Sequence, residues 1–289
     1  MERASLGVPF IPRQEQNGLG FGGSGTFSLI AGPCALEPGA EGRAMVNQVA
    51  EALCEIRGAM GIQVVFKASF DKANRTSVKS YRGLTLEESL VEFSRIKETY
   101  GLPVITDIHE PAQAAPLSRV VDVLQIPAFL CRQTDLVVAA AETQTWVMIK
   151  KGQFVAPHDI GPIVEKFIGS GNRKLMICDR GFSFGYNRLI NDMGGLYEMR
   201  GYGVPICFDA THSVQEPGAN KSGSGGHPHQ IPALARAAVA VGIDALFMEV
   251  HPRPSQAMSD ASTVFPLQDL MQLIQKLVQI DRLVKSEDI

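Results

Sequence analysis

Eight short apolar runs recur along the 289-residue chain: FSLIAGPC (27–34), IQVVFKAS (62–69), PVITDIHE (103–110), VLQIPAFL (123–130), WVMIKK (146–151), KLMICDRG (174–181), PICFDATH (205–212) and ALFMEVHP (245–252). They are rich in β-branched and large apolar residues without clear alternation, the pattern of a parallel strand buried on both faces. Helical spacing fills the gaps at 41–57, 86–100, 111–120, 133–143, 157–168, 187–199, 230–241 and 266–284. In the first of these, Val46, Val49, Ala50, Leu53 and Ile56 recur at three- and four-residue steps. Gly58, Gly61, Gly101, Gly169, Gly171, Gly201, Gly203 and Gly242 punctuate the chain just before strands. Strand and helix alternating eight times predicts a (β/α)8 TIM barrel, a fold that takes roughly 250 residues as one domain.

Two stretches stand outside the alternation. Residues 1–26 are Gly-rich and are expected to form an arm or short plug over the barrel bottom, leaving 27–289 as a single catalytic barrel. Residues 216–229, EPGANKSGSGGHPH, read as a flexible loop after the seventh strand, suited to act as a lid.

The strand ends change the picture from fold to chemistry. Cys34, Lys67, Asp107 with His109, Gln125, Lys150, Arg180, His212 and Glu249 all fall at C-terminal ends, the face where such barrels carry their active sites. Chance would scatter polar residues over both ends, so the chain reads as an enzyme. A net charge of −3 offers no reason to expect nucleic acid or an anionic membrane as partner. The start, MERASLGVPF, has no long apolar core, no run approaches membrane-spanning length, and a cytoplasmic location is expected. Five cysteines at no repeating spacing suit reduced thiols. Of these, Cys54, Cys131, Cys178 and Cys207 read as core, and His158 and His251 as supporting or surface residues.

Two constellations stand out. In FKASFDKANRTS (66–77), Lys67 leaves a buried strand, and Lys72, Asn74, Arg75, Thr76 and Ser77 follow. A solvated basic loop is the plainer alternative, but an apolar strand delivering this set suits a phosphate or carboxylate clamp. Lys150 and Arg180 repeat the pattern at strands five and six. Cations gathered in one mouth would repel one another without an anionic ligand, so substrates carrying phosphate or carboxylate are expected. The second set is Cys34, His212, Glu249 and Asp260. Strands one, seven and eight are neighbours in a closed barrel, and thiolate, imidazole and carboxylates together can accept Zn²⁺, Fe²⁺ or Mn²⁺. Alone, Cys34 would more often be an inert core thiol, and His212 as often a satisfied histidine as a ligand; the four together at adjacent positions favour the site.

The motifs GPC (32–34), FKASFDKANRTS (66–77), TDIHEPAQAA (106–115), QIPAFLCRQTDL (125–136), KKGQF (150–154), CDRGFSFGYN (178–187), FDATHSVQ (208–215) and FMEVHPRPSQAMSDAS (247–262) resemble the 3-deoxy-D-manno-octulosonate 8-phosphate synthases, in family order from about residue 27 onward. The resemblance implies condensation of phosphoenolpyruvate with D-arabinose 5-phosphate and water, in lipopolysaccharide biosynthesis. It implies a divalent metal held by Cys34, His212, Glu249 and Asp260, because Cys rather than Asn at the first strand marks the metal-dependent form; no organic cofactor is implied. Lys72, Lys150 and Arg180 would hold phosphoenolpyruvate, with Lys67 serving the same anion or a developing oxyanion. Gln125 is counted with the substrate-binding set, and Asp107, His109 and His212 with the catalytic one. Asn74, Arg75 and Thr76 would grip the pentose phosphate. Arg132, with Phe129, would reach that phosphate from a neighbouring subunit of a homotetramer.

The sister 3-deoxy-D-arabino-heptulosonate 7-phosphate synthases share the barrel, but KANRTS stands where they carry a lysine-proline-arginine run. A metal-dependent hydrolase would need paired histidines after the first strand. A non-catalytic barrel binding anions would be expected to lose some mouth residues, whereas the set is complete here.

Overall fold

In the computed structural model, which describes residues 15–16, 18–23, 25–75, 77–220 and 223–286, eight parallel strands close into a barrel. They are β1 (Ser28–Gly32), β2 (Val64–Lys67), β3 (Val104–Asp107), β4 (Val123–Ile126), β5 (Trp146–Lys150), β6 (Leu175–Asp179), β7 (Ile206–Asp209) and β8 (Ala245–His251). Each pairs with its neighbour in sequence, and β8 closes the ring by pairing with β1 from Ala245↔Ser28 to Glu249↔Gly32. All eight expected strands form.

The helices alternate with them: α1 (Gly39–Met60), α2 (Leu86–Tyr100), α3 (Pro111–Ser118), α4 (Thr134–Glu142), α5 (Gly161–Gly169), α6 (Met193–Arg200), α7 (Ile231–Val241) and α8 (Leu267–Ser286). Local chemistry sets their ends. α2 begins in a capping box, with the Glu88 amide donating to Thr85 Oγ1 and the Thr85 amide to Glu88 Oε2. It stops at Gly101, which turns left-handed at φ 60°.

Two expectations need correction. The helix expected over 187–199 starts only at Met193, because Phe182–Ser183 and Leu189–Ile190 pair as a hairpin turned through Gly185 and a left-handed Asn187. The expected loop 216–229 is largely a second hairpin, Gln215–Asn220 against Gly223–Gly226. Smaller shifts occur at 157–168, where a 3-10 turn (Pro157–Ile160) precedes α5, and at α3, which ends two residues early.

Two cores explain why the strands show no alternation. One lies between barrel and helices and includes Leu29, Val64, Phe66, Val104, Leu124, Ile149, Ile177 and Phe208. The other fills the barrel with Ile30, Val65, Ile105, Val123, Trp146, Met148, Met176, Cys178, Cys207, Ala245 and Phe247. Strand residues alternate between them, so both faces of each strand are largely apolar below the C-terminal mouth.

The inner core is closed from below by the described part of the N-terminal segment. A small hairpin (Glu15–Gln16 with Leu19–Gly20) brings Leu19 and Phe21 into it. The Phe21 ring meets Trp146 edge-to-face at 5.0 Å, and the indole N–H donates to the Leu19 carbonyl at 3.3 Å. Residues 1–14, 17 and 24 lie outside the described residues.

Trp146 is the chain's single tryptophan, so its fluorescence reports on this closure. Phe21→Ala should lower stability by about 3–5 kcal/mol and red-shift the emission as water reaches the indole. Urea titration followed by fluorescence checks both, and an unshifted spectrum with an unchanged midpoint would show that the segment closes nothing.

Candidate active site

The inner-core residues set the phase for the layer above them. Two residues beyond Val65, Ile105, Val123, Met148, Cys178, Cys207 and Phe247 stand Lys67, Asp107, Gln125, Lys150, Arg180, Asp209 and Glu249. A period of two keeps each on the inward side, so the apolar barrel floor is roofed by polar groups at its C-terminal mouth. On β1 the same phase gives Gly32. A Cβ there would lie 1.9 Å from the Lys67 carbonyl oxygen, so only glycine lets β1 and β2 approach this closely just before Cys34.

The mouth opens into a cavity of about 440 Å³, within the usual range for small-molecule sites. Lys67, Lys72, Asn74, Arg75, Asp107, His109, Gln125, Phe129, Lys150, Arg180, His212, Glu249 and Asp260 all line it. The loop 68–83 folds back over this cavity. Arg82 makes a bidentate contact to Asp71, the Leu84 amide donates to the Phe70 carbonyl, and Tyr81 Oη donates to the Leu36 carbonyl at 2.6 Å. This fold-back carries Lys72, Asn74 and Arg75 to the rim. Thr76 lies outside the described residues. Arg132 does not join its own chain's cavity. It is exposed and lines a separate cleft of about 390 Å³ with Thr134, Phe154 and Lys166.

The expectation that the mouth cations repel one another is corrected by the carboxylates between them. Lys67 Nζ is paired with Glu249 and also donates to the Cys34 carbonyl at 2.9 Å. Lys150 Nζ is paired with Asp209 and stands 3.6 Å above the Phe247 ring centroid. Burial alone would disfavour the Glu249 carboxylate, but Lys67, His212, Lys72 and Lys150 hold its pKa well below the usual range. Asp209 is depressed in the same way by His212 and Lys150 against its burial. Three cations remain without a carboxylate partner among the described residues. The Lys72 ammonium makes no hydrogen bond among the described residues, although its backbone amide donates to the Arg82 carbonyl; Arg75 leaves a buried Nε unpaired, and Arg180 has a buried unpaired Nε with its Nη2 on Gln215 Oε1 at 2.7 Å. Burial works against the Lys72 ammonium, yet Cys34, Glu249, Asp260 and Asp107 raise its pKa well above an ordinary lysine's.

Asp107 accepts from Ser69 Oγ and Gln125 Nε2, which fixes both its oxygens. His109 keeps a buried Nδ1 without a partner, and burial lowers its pKa despite Asp107 and Asp71 nearby. Cys34 Sγ lies 3.1 Å from Asp260 Oδ2, and Cys34, Glu249 and Asp260 offer ligand atoms all within 4.8 Å of one another. His212 joins them through Nε2, 3.5 Å from Glu249 Oε2, a buried oxygen with no hydrogen-bond partner. An orphaned carboxylate oxygen facing an imidazole, beside a thiol and a second carboxylate, fits a divalent transition metal.

The sequence matches the DAHP synthetase I family over residues 11–286. The chain belongs to that family. Among its relatives, the protein of Fusobacterium nucleatum named 2-dehydro-3-deoxyphosphooctonate aldolase is 49% identical over 92% of this chain and 94% of its own. One of the same name from Rhodopseudomonas palustris is 52% identical over 92% of both chains, and another from Francisella tularensis is 47% identical over 90% of this chain and 94% of its own.

Several residues of this family member were not singled out from the sequence. Asp209 is the most consequential, and the two-residue step from the inward Cys207 would have found it. Gln215, Ser80 and Tyr81, unlike the buried Asp209, line the cavity itself, but they come from hairpin and fold-back segments whose position no local pattern encodes. Cys178 and Cys207 are core residues as expected, though they are not isolated, since they face each other across β6 and β7. His251 is buried with Nε2 3.6 Å from Glu37 Oε1, and His158 is exposed.

Lys151, one step out of phase, leaves the mouth for the other side of the barrel wall. There it is buried, 3.1 Å from Asp179 Oδ1 and 3.0 Å from the Val155 carbonyl. Lys151→Met should therefore destabilise the fold by about 3–5 kcal/mol, by leaving a buried carboxylate unpaired. Its kcat/KM per folded molecule should stay within a few-fold of the parent. Lys150→Met should lose orders of magnitude in kcat/KM, because it removes a charge at the mouth. Unfolding curves and active-site-normalised kinetics for both would reveal a wrong register if the two effects were exchanged.

Proposed function

We propose that the chain condenses phosphoenolpyruvate with D-arabinose 5-phosphate and water, giving 3-deoxy-D-manno-octulosonate 8-phosphate and inorganic phosphate. The names of its relatives support the reaction, and one observation carries it onto this site. Three cations without carboxylate partners, Lys72, Arg75 and Arg180, ring a cavity whose remaining lysines are already neutralised. Two anionic substrates complete that charge balance. A cavity meant for a neutral ligand would leave three unpaired cations facing one another.

In this reading Arg180, Lys72 and Lys150 hold the carboxylate and phosphate of phosphoenolpyruvate, and Lys67 stabilises the same anion. Their positions turn the enol carbon C3 toward the aldehyde. Asn74 and Arg75 grip the pentose phosphate, together with Thr76, which follows them in sequence, and Phe129 supplies an apolar wall of the same cavity. Gln125 holds Asp107 in place. Asp107 and the neutral His109 stand where a water or a proton can be held against the reacting carbons. A C–C bond forms between C3 and the aldehyde carbon, whose oxygen takes a proton. Water oxygen adds at C2, and the bond from C2 to the phosphate oxygen breaks to release phosphate.

Cys34, His212, Glu249 and Asp260 would hold the divalent metal, which supplies Lewis acidity toward the aldehyde or toward water. Arg132 lines an exposed cleft apart from its own chain's cavity; in this reading a neighbouring subunit of a tetramer covers that cleft, and Arg132 serves the neighbour's pentose phosphate. The same reading makes residues 1–26 an arm on the single barrel domain of 27–289, and the paired strands Gln215–Asn220 and Gly223–Gly226 a lid. In this reading the chain acts in the cytoplasm; no helix among the described residues is long and apolar enough to cross a membrane.

The decisive test incubates the purified protein with phosphoenolpyruvate and either arabinose 5-phosphate or erythrose 4-phosphate, and identifies products by mass. The eight-carbon product should dominate, disappear with a chelator, and return with Mn²⁺, Zn²⁺ or Fe²⁺. Turnover of the four-carbon sugar alone would transfer the chain to the heptulosonate reaction. Full activity in a metal-free preparation would remove the metal from the account.

A further inference from the structure

Asp209 is fully buried and is not itself among the residues lining the cavity, yet two lining residues converge on one of its oxygens. Oδ2 is paired with Lys150 Nζ and lies 2.6 Å from His212 Nδ1. Oδ1 is occupied separately, accepting the backbone amides of Thr211 at 3.1 Å and His212 at 2.9 Å. The backbone contacts leave the carboxylate no freedom to rotate, so the position of Oδ2 is set by the start of the turn that follows β7. We propose that Asp209 is the positioning residue of this site, fixing the His212 tautomer and the Lys150 ammonium through a single oxygen. The proposal rests on reading the site as one for a metal and an anion.

The chemistry follows from donor and acceptor roles. An ionised carboxylate only accepts, and the ammonium of Lys150 only donates, so the proton between His212 and Asp209 belongs to Nδ1. Nε2 then keeps its lone pair, and it is Nε2 that faces Glu249 Oε2 at 3.5 Å. A carboxylate that orients a ligating histidine in this way is a general device for metal sites. Here the same oxygen also holds the lysine, so one side chain fixes both halves of the site.

Asp209→Asn reverses these roles with almost no change of shape. The Thr211 and His212 amides require an acceptor, so the amide oxygen takes the Oδ1 position and the NH2 group faces Lys150 and His212. Nδ1 must then accept, the ring proton moves to Nε2, and that nitrogen loses the lone pair a metal needs. Lys150 loses its counter-charge at the same time.

Three measurements test this without requiring turnover. Nitrogen-15 spectra of the metal-free parent protein, taken where the imidazole is neutral, should show His212 as the Nδ1–H tautomer; a neutral ring carrying its proton on Nε2 overturns the proposal even if the variant fails to fold. Cobalt(II), followed by its thiolate charge-transfer absorption, should bind Asp209→Asn about 10- to 100-fold more weakly than the parent. Calorimetry on the metal-free proteins should show weaker phosphoenolpyruvate binding in the same variant. Affinities within twofold of the parent for both probes would overturn it. Asp179→Asn, which disturbs the buried Lys151 pair outside the cavity, serves as the control for general loosening. It should leave cobalt affinity unchanged, and an equal loss there would also overturn the proposal. If the parent bound neither cobalt nor phosphoenolpyruvate, the functional reading itself would have failed, an outcome separate from these.

Discussion

The mouth of this barrel depends on charges that must be buried in matched pairs. Inward-facing positions just above an apolar floor cannot hold an isolated ammonium or carboxylate, because desolvation costs several kcal/mol per ion. Lys67 with Glu249 and Lys150 with Asp209 meet that constraint by joining β2 to β8 and β5 to β7 across the barrel. The apolar floor beneath, from Trp146 and Phe247 down to Phe21, excludes water and strengthens each pair.

From that pairing follows a division of labour. The paired lysines present fixed positive surface while remaining neutralised, so the mouth can exist without ligand. Lys72, Arg75 and Arg180 lack carboxylate partners among the described residues and are less buried than the two paired lysines, open to the anions of the proposed reaction. Glu249 spans both functions, since one oxygen serves Lys67 and the other faces His212. The site is therefore organised before substrate arrives, which is where electrostatic catalysis gains most.

The barrel was readable because its strands are buried on both faces and their apolar runs stand out against glycine-marked turns. The helix expected from Asn187 failed because a left-handed Asn187 and Gly185 make a hairpin, a choice that apolar spacing does not report. Lys67, Lys150 and Glu249 were visible as strand-end charges, but which charge neutralises which depends on barrel closure. Asp209 was passed over in favour of His212, although its inward phase was present in the sequence. Arg132 shows the opposite limit. Its motif is clear in the chain, while its place lies at a surface cleft outside its own cavity.

The most direct measurement is a crystal structure of the metal-free protein soaked with phosphoenolpyruvate. The ligand's carboxylate and phosphate should lie on Arg180 and Lys72, with Lys67 still paired to Glu249 and Lys150 still paired to Asp209. A ligand lodged in the Arg132 and Lys166 cleft, or bound only after either buried pair has separated, would contradict a mouth balanced in advance for two anions.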